Sequence, residues 1–92
     1  MPIEDARFTP AGTITWHDAG DELALFDQVT ESYFALNGSA AAIWRELAAG
    51  RKVTEAASAL ATQFDADPAA IAADIAAFVA DAITRNLLVP AI

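Results

Sequence analysis

The first third of the chain alternates apolar and polar residues with a period of two, which is typical of strands that are buried on one face. Residues 13–17, 22–27 and 32–36 carry this alternation, and each run ends at turn-forming residues. The sequence therefore predicts a three-stranded antiparallel meander. Phe26 and Tyr33 are placed on one face of it. The opposite, core-facing set is Ile14, Trp16, Leu23, Leu25, Phe34 and Leu36.

From Ser39 onward the apolar period changes to that of a helix, and three helices are predicted. Asn37 or Ser39 caps the first, and Gly50 follows its end. Thr54 is predicted to cap the second, and Asp67 before a proline is a strong start for the third, which ends near residues 85–86. The predicted apolar stripes are Ile43, Trp44 and Leu47, then Ala57, Leu60, Ala61 and Phe64, then Ile71, Ile75, Phe78, Val79 and Ile83.

Strands followed by helices define the expected architecture. A three-stranded antiparallel sheet followed by three helices is an α+β fold of winged-helix-turn-helix-like type, with the sheet ahead of the helices. The expected boundaries are an N-terminal extension at residues 1–12, one domain at residues 13–88 and an extended tail at residues 89–92.

Composition narrows the function. The chain has 92 residues, 55% of them hydrophobic, which suits one compact domain. Its 13 acidic and 5 basic residues give a net charge of -8, which disfavours nucleic acid and anionic lipid. It has no cysteine, consistent with a cytoplasmic protein, and no run long enough for a membrane span or signal peptide.

Residues that could carry catalysis or bind a metal are scarce. His17 is the only histidine, and neither another histidine nor a cysteine completes a metal shell around it. Asp65 and Asp67 fall at predicted turns and caps, where aspartate serves local hydrogen bonding. The four glycines are isolated, so no phosphate-binding loop is predicted. We therefore expect no catalytic residue, no metal and no cofactor.

An exposed sheet edge is the most informative feature for binding. An edge strand can accept an extended peptide as an additional strand, and residues 33–36 are the candidate. If this edge lies beside the third helix, Ile75, Phe78 and Val79 would make an apolar cleft wall, with Asp74 available to a basic or hydrogen-bonding group. From periodicity alone, these helix residues fit a core stripe equally well.

A series of short blocks resembles a known family. The blocks are YFALN at residues 33–37, AAIW at 41–44, Gly50 with VTE at 53–55, FDAD at 64–67, DI at 74–75, FV at 78–79 and LL at 87–88. Together they resemble the PqqD-like family, the precursor-peptide recognition elements of pathways that modify ribosomally made peptides. The likeness covers residues 13–88, and its stand-alone length is similar to that of discrete B1 proteins of lasso-peptide clusters.

The resemblance implies a function without catalysis. Such a domain binds the leader of a precursor peptide as an antiparallel strand on its third strand, in the groove with the third helix, and delivers it to a separate modifying enzyme or leader peptidase. Carried over residue by residue, the implied peptide-binding residues are Ser32, Tyr33, Phe34, Ala35, Leu36, Ile71, Asp74, Ile75, Phe78 and Val79.

Three alternatives stay open at this stage. A winged-helix DNA-binding or transcription-partner domain would have the same fold, but its third helix would offer only Arg85 to a groove, against Asp74 and Asp81. An enzyme would need a site built from His17 and acidic side chains. A homodimer could form if the exposed edge paired with its own copy.

Overall fold

The computed structural model describes residues 6–91, which form five strands and three helices. Their bounds are β1 Arg7–Pro10, β2 Ile14–Ala19, β3 Glu22–Asp27, β4 Ser32–Leu36, α1 Gly38–Ala48, α2 Val53–Phe64, α3 Pro68–Thr84 and β5 Leu88–Ala91. Strands β2, β3 and β4 form an antiparallel sheet in that order, followed by the three helices. The predicted meander and helices are confirmed, and the first, second and third predicted strands are β2, β3 and β4.

Strands β1 and β5 form a second, two-stranded antiparallel sheet that the sequence pattern did not predict. Phe8 of β1 is buried in the core, and the Ala11 N–H donates to the Leu87 carbonyl at 2.9 Å. Segments expected to be an extension and a tail thus pair with each other. Residues 1–5 and 92 of those segments lie outside the described residues.

Two short turns, one with a left-handed glycine and one with a side-chain hydrogen bond, align the strands of the sheet. Gly20 has φ +71° in the two-residue turn between β2 and β3, a left-handed conformation that glycine adopts without a steric penalty. The turn between β3 and β4 is organised by the buried Asp27, whose carboxylate accepts the Val29 N–H at 2.9 Å. These turns set the register of β4, with Phe34 opposite Leu25.

Two of the three predicted helix caps are confirmed, and the third is corrected. The Asn37 side chain accepts the Ala40 N–H at 3.2 Å, and Asp67 accepts the Ala69 N–H at 3.0 Å, as predicted for α1 and α3. Helix α2 begins earlier than the predicted Thr54 cap. Its cap residue is Lys52, whose backbone N–H donates to the Glu55 carboxylate at 2.7 Å.

The core lies between the inner sheet face and the helices. Its largest fully buried side chains are Trp44, Leu23, Leu25, Leu47, Leu60, Ile75, Leu88, Val53 and Val79.

Three aromatic or aliphatic residues that the pattern placed in the core are substantially exposed: Trp16 by 42%, Phe64 by 46% and Ile83 by 39%. Trp16 is on the predicted face and packs edge-on against Trp44 with ring centroids 5.6 Å apart, but it belongs to the edge strand β2. Phe64 is the last residue of α2, and Ile83 lies in the last turn of α3. Both are exposed because the ends of these helices extend beyond the elements that pack against them.

Glu55 provides a pH-dependent contribution to stability. The hydrogen bond from the Lys52 backbone lowers the pKa of the Glu55 carboxyl below its ordinary value, and nearby Arg7, Lys52 and Arg51 act in the same direction. A lowered pKa in the folded state means that the stabilisation is present above the unfolded-state pKa and is lost as pH falls through the folded-state pKa.

We therefore expect Glu55→Gln to lower the thermal midpoint at pH 7, by a margin that narrows as pH falls below about 4.5, the ordinary value of this carboxyl. Thermal unfolding followed by circular dichroism from pH 3 to pH 7 measures this margin. Glu22→Gln removes the same charge from an exposed strand residue and serves as the control. A margin that stays constant over the whole pH range would contradict the assignment.

Candidate functional site

The outer edge of β4 is unpaired in the described part of the chain, since β4 is the last strand of its sheet. Just after β3, the Gln28 N–H donates to the Thr13 carbonyl at 3.0 Å, and because paired residues alternate along an antiparallel ladder, the even-numbered residues of β3 bond to β2. The intervening residues of β3 bond to the even-numbered residues of β4. The backbone N–H and C=O groups of Tyr33 and Ala35 therefore point to the free edge.

The side chains of β4 point alternately to the outer and the inner face of the sheet, as its backbone groups point alternately to the free edge and to β3. Tyr33 and Ala35 are exposed on the outer face, Tyr33 by 74%. The Tyr33 ring packs against the Phe26 ring at a tilt of 46°, with ring centroids 4.7 Å apart. Phe34 and Leu36 point inward and are half-buried, because the layer beneath this edge is incomplete. The edge thus combines free backbone groups with partly exposed apolar side chains.

A cavity of about 410 Å³ separates β4 from the C-terminal half of α3. We call it the strand cavity; its lining residues are Tyr33, Phe34, Ala35, Leu36, Phe78, Asp81, Ala82, Arg85 and Leu87. Helix α3 packs mainly on α2 and β5, which leaves this space beside the sheet edge open.

A second cavity, of about 350 Å³, continues the groove beyond the end of β4. We call it the helix cavity; its lining residues are Asn37, Ser39, Ala40, Ile43, Leu60, Phe64, Ile71, Asp74, Ala77 and Phe78. Phe78 lines both cavities, so the two form one groove along α3. The order of lining residues shows that α3 runs antiparallel to β4.

The structure brings most of the residues implied by the resemblance to this groove. Tyr33, Phe34, Ala35, Leu36 and Phe78 line the strand cavity, while Ile71 and Asp74 line the helix cavity with Phe78. Ser32 begins the same strand edge and is half-buried, and its backbone groups bond to β3.

Two implied groove residues do not reach the groove surface. Ile75 and Val79 are fully buried in the core, since they lie on the face of α3 that packs against α2 and β5. Their side chains lie behind the groove wall and are not exposed in the groove. Their helical spacing fits the core interpretation that periodicity left open.

Sequence reasoning missed the two ends of the groove. At one end, Asp81 and Arg85 form an ion pair at 3.0 Å, and their spacing of four on a helix was a readable signal. At the other end lie Ser39, Leu60 and Phe64, which come from α1 and α2. No sequence signal brings these two helices to the same cavity, because their contact depends on how they cross.

Charges in the groove are few and mostly acidic. Asp74 is exposed in the helix cavity, and no ion pair within residues 6–91 includes it, whereas Asp81 is paired with Arg85. The described residues hold no group of three or more histidine, cysteine, aspartate or glutamate side chains that could bind a metal ion. None of the described helices is both long and apolar enough to cross a membrane. The groove can offer backbone hydrogen bonds, apolar contacts and a carboxylate.

The fold and its open edge define a small winged-helix-turn-helix-like α+β domain, as the sequence predicted. The family model described as "Coenzyme PQQ synthesis protein D (PqqD)" matches residues 22–88. The chain belongs to the PqqD family, and the predicted resemblance is confirmed. No curated protein sequence matches the chain significantly.

Two solved structures are similar to the chain over most of its length. One is described as "Lasso peptide synthetase B1 complexed with the leader peptide"; its TM-score is 0.84 at 25% identity, covering 92% of this chain and 100% of that one. The other is "TbiB1 in Complex with the TbiA(beta) Leader Peptide", with a TM-score of 0.82 at 22% identity, covering 87% of this chain and 93% of that one. These matches confirm the predicted architecture.

Proposed function

We propose that this protein binds the leader region of a ribosomally synthesised precursor peptide and delivers it to a separate modifying enzyme or leader peptidase of a lasso-peptide type pathway. The observation that carries the proposal is the free edge of β4 beside an open groove against α3. The similarity to two B1 proteins whose structures contain leader peptides supports it.

The bound leader is an extended segment that adds to the sheet as a strand antiparallel to β4. Its backbone bonds to the outward N–H and C=O groups of Tyr33 and Ala35, which are two residues apart as a β-ladder requires. Every second side chain of the leader then points into the strand cavity, toward Phe34, Leu36 and Phe78. Backbone bonds supply affinity, and the apolar cavity supplies selectivity.

Strand polarity orients the leader in the groove. Because the leader is antiparallel to β4, its N-terminal side lies near Leu36 and its C-terminal side near Ser32. The N-terminal side therefore enters the helix cavity, where Ile71 and Asp74 lie. The C-terminal side, which leads to the segment to be modified, leaves the groove near Arg85.

Delivery to an enzyme is proposed as the whole contribution of this chain to the chemistry. Binding both the leader and an enzyme would raise the local concentration of the precursor and make its encounter with the enzyme quasi-intramolecular. The acidic charge of -8, with Asp74 and Asp81 on α3, argues against the alternative of DNA binding through that helix. Because leaders are made on ribosomes and the chain has no cysteine, we place the complex in the cytoplasm.

Asp74 is expected to contact a basic or hydrogen-bonding group of the leader. Asp74→Asn should weaken leader binding about threefold to fivefold, as expected for the loss of an exposed charged contact, and should leave the thermal midpoint nearly unchanged, because the side chain is exposed. Fluorescence anisotropy with a labelled leader measures the affinity. Glu22→Gln, on the outer sheet face away from both cavities, is the charge-matched control; equal affinities for both variants would contradict this role.

The proposed function is tested by amide NMR of the labelled protein. The titrant is the synthetic leader of the precursor encoded beside the gene, with duplex DNA as a comparison. Saturable shifts centred on residues 32–36 and on the groove face of α3 would support the proposal. Shifts with DNA alone, or leader-induced shifts confined to other surfaces, would overturn it. Sedimentation of the free protein tests whether a second copy occupies the β4 edge.

A further inference from the structure

The groove does not end at the helix cavity. A further depression of about 640 Å³ lies between the β2–β3 turn, the start of α1 and the end of α2. We call it the turn cavity; the residues that matter here are Gly20, Asp21, Gly38, Arg45, Gln63 and Phe64. None of the peptide-binding residues that the resemblance implies lies in it.

Phe64 connects the turn cavity to the groove. This side chain lines both the helix cavity and the turn cavity, as Phe78 lines both the helix cavity and the strand cavity. Phe64 is also one of the few large apolar residues that stay exposed, at 46%. A chain lying in the groove can therefore continue across Phe64 and cover apolar surface that the fold leaves in water.

We propose that the turn cavity binds the leader residues that precede its strand-forming segment, and that this part of the leader carries a lysine or arginine. The inference rests on the proposed function, because the polarity of strand addition sends the N-terminal side of the leader past Leu36 and the helix cavity. The turn cavity is the next depression in that direction, reached over the Phe64 ring.

Charge favours a basic residue at this position. Arg45, the one basic residue among the described residues that line the turn cavity, is already paired with Asp18 at 2.7 Å. Asp21 is exposed in the two-residue turn, and no ion pair within residues 6–91 includes it. A lysine or arginine beside Asp21 would neutralise that carboxylate. An acidic residue there would be repelled by Asp21 and by the overall charge of -8.

The experiment compares two forms of the synthetic leader encoded beside the gene. One is full-length, and the other lacks the residues that precede the strand-forming segment. Affinities come from fluorescence anisotropy at low and high salt, and contact maps from amide NMR. The variant is Asp21→Asn, and Glu22→Gln is its matched control, since Glu22 is the adjacent acid but lies outside the turn cavity.

We expect the truncated leader to bind about tenfold more weakly, and Asp21→Asn to weaken only the full-length leader, by about threefold at low salt. Amides of Gly20, Gly38 and Gln63 should shift with the full-length leader alone, while those of β4 shift with both. If the amide resonances of β4 shift with both leaders but those of the turn cavity shift with neither, the inference is overturned and the proposed function stands. If β4 shifts with neither leader, both are overturned.

Discussion

Replacing Ala35 by proline is expected to reduce leader affinity at least about tenfold while the domain stays folded. The N–H of Ala35 points to the free edge of β4, so proline removes a donor from the bond ladder to the leader and leaves the β3–β4 ladder intact. The proline ring also occupies the space where the leader backbone must approach. A lost hydrogen bond together with a steric clash accounts for an effect of this size.

The matched control for this variant is Ala35→Val. Valine keeps the N–H, suits an exposed strand position and should leave the affinity within about twofold of the original. Isothermal titration calorimetry with the synthetic leader measures both variants, and circular dichroism verifies that each is folded. A folded Ala35→Pro protein that binds the leader normally would eliminate strand addition on β4 as the binding mode.

Trp44→Ala is expected to have the largest effect on stability. Trp44 is fully buried at the centre of the core, so its truncation leaves a large cavity and should cost about 3–5 kcal/mol in the free energy of unfolding. Domains of this size have a total of about 5–15 kcal/mol, so the variant should lose a large fraction of its stability. Chemical denaturation in urea, followed by circular dichroism, measures the loss.

The Trp44 indole provides its own control. Its Nε1–H is buried and has no hydrogen-bond partner among the described residues. Trp44→Phe keeps much of the packing and removes that unpaired donor, so it should cost clearly less than the alanine variant. Equal losses for both variants would show that ring size and the edge-on contact with Trp16 dominate, and would contradict this account of the core.

Local patterns predicted much of the fold because each needs only neighbouring residues. The period of two along β3 and β4 and the caps Asn37 and Asp67 act within a few positions of the chain. The same locality explains the misplaced start of α2. Thr54 is a residue type that often caps helices, but the Glu55 carboxylate accepts the backbone N–H of Lys52, three residues earlier, and the helix therefore begins after Lys52.

The pairing of β1 with β5 could not be predicted in this way. Its strands lie about eighty residues apart, each is short and each contains a proline, so neither shows a strand pattern. Phe8 is in the core because that pairing holds it there. Long-range pairing of this kind depends on the folded surroundings, not on the two segments themselves.

For the candidate site, too, some features could be predicted from the sequence and others depend on packing. The chain sequence was enough to indicate the family, the order of strands and helices, and β4 as the candidate edge for a peptide, because a motif and a period are properties of consecutive residues. Packing decided which groups are available: it buried Ile75 and Val79, exposed Phe64, and turned the backbone of Tyr33 and Ala35 outward. Exposure depends on which elements cover a residue, and covering elements meet only when the chain has folded.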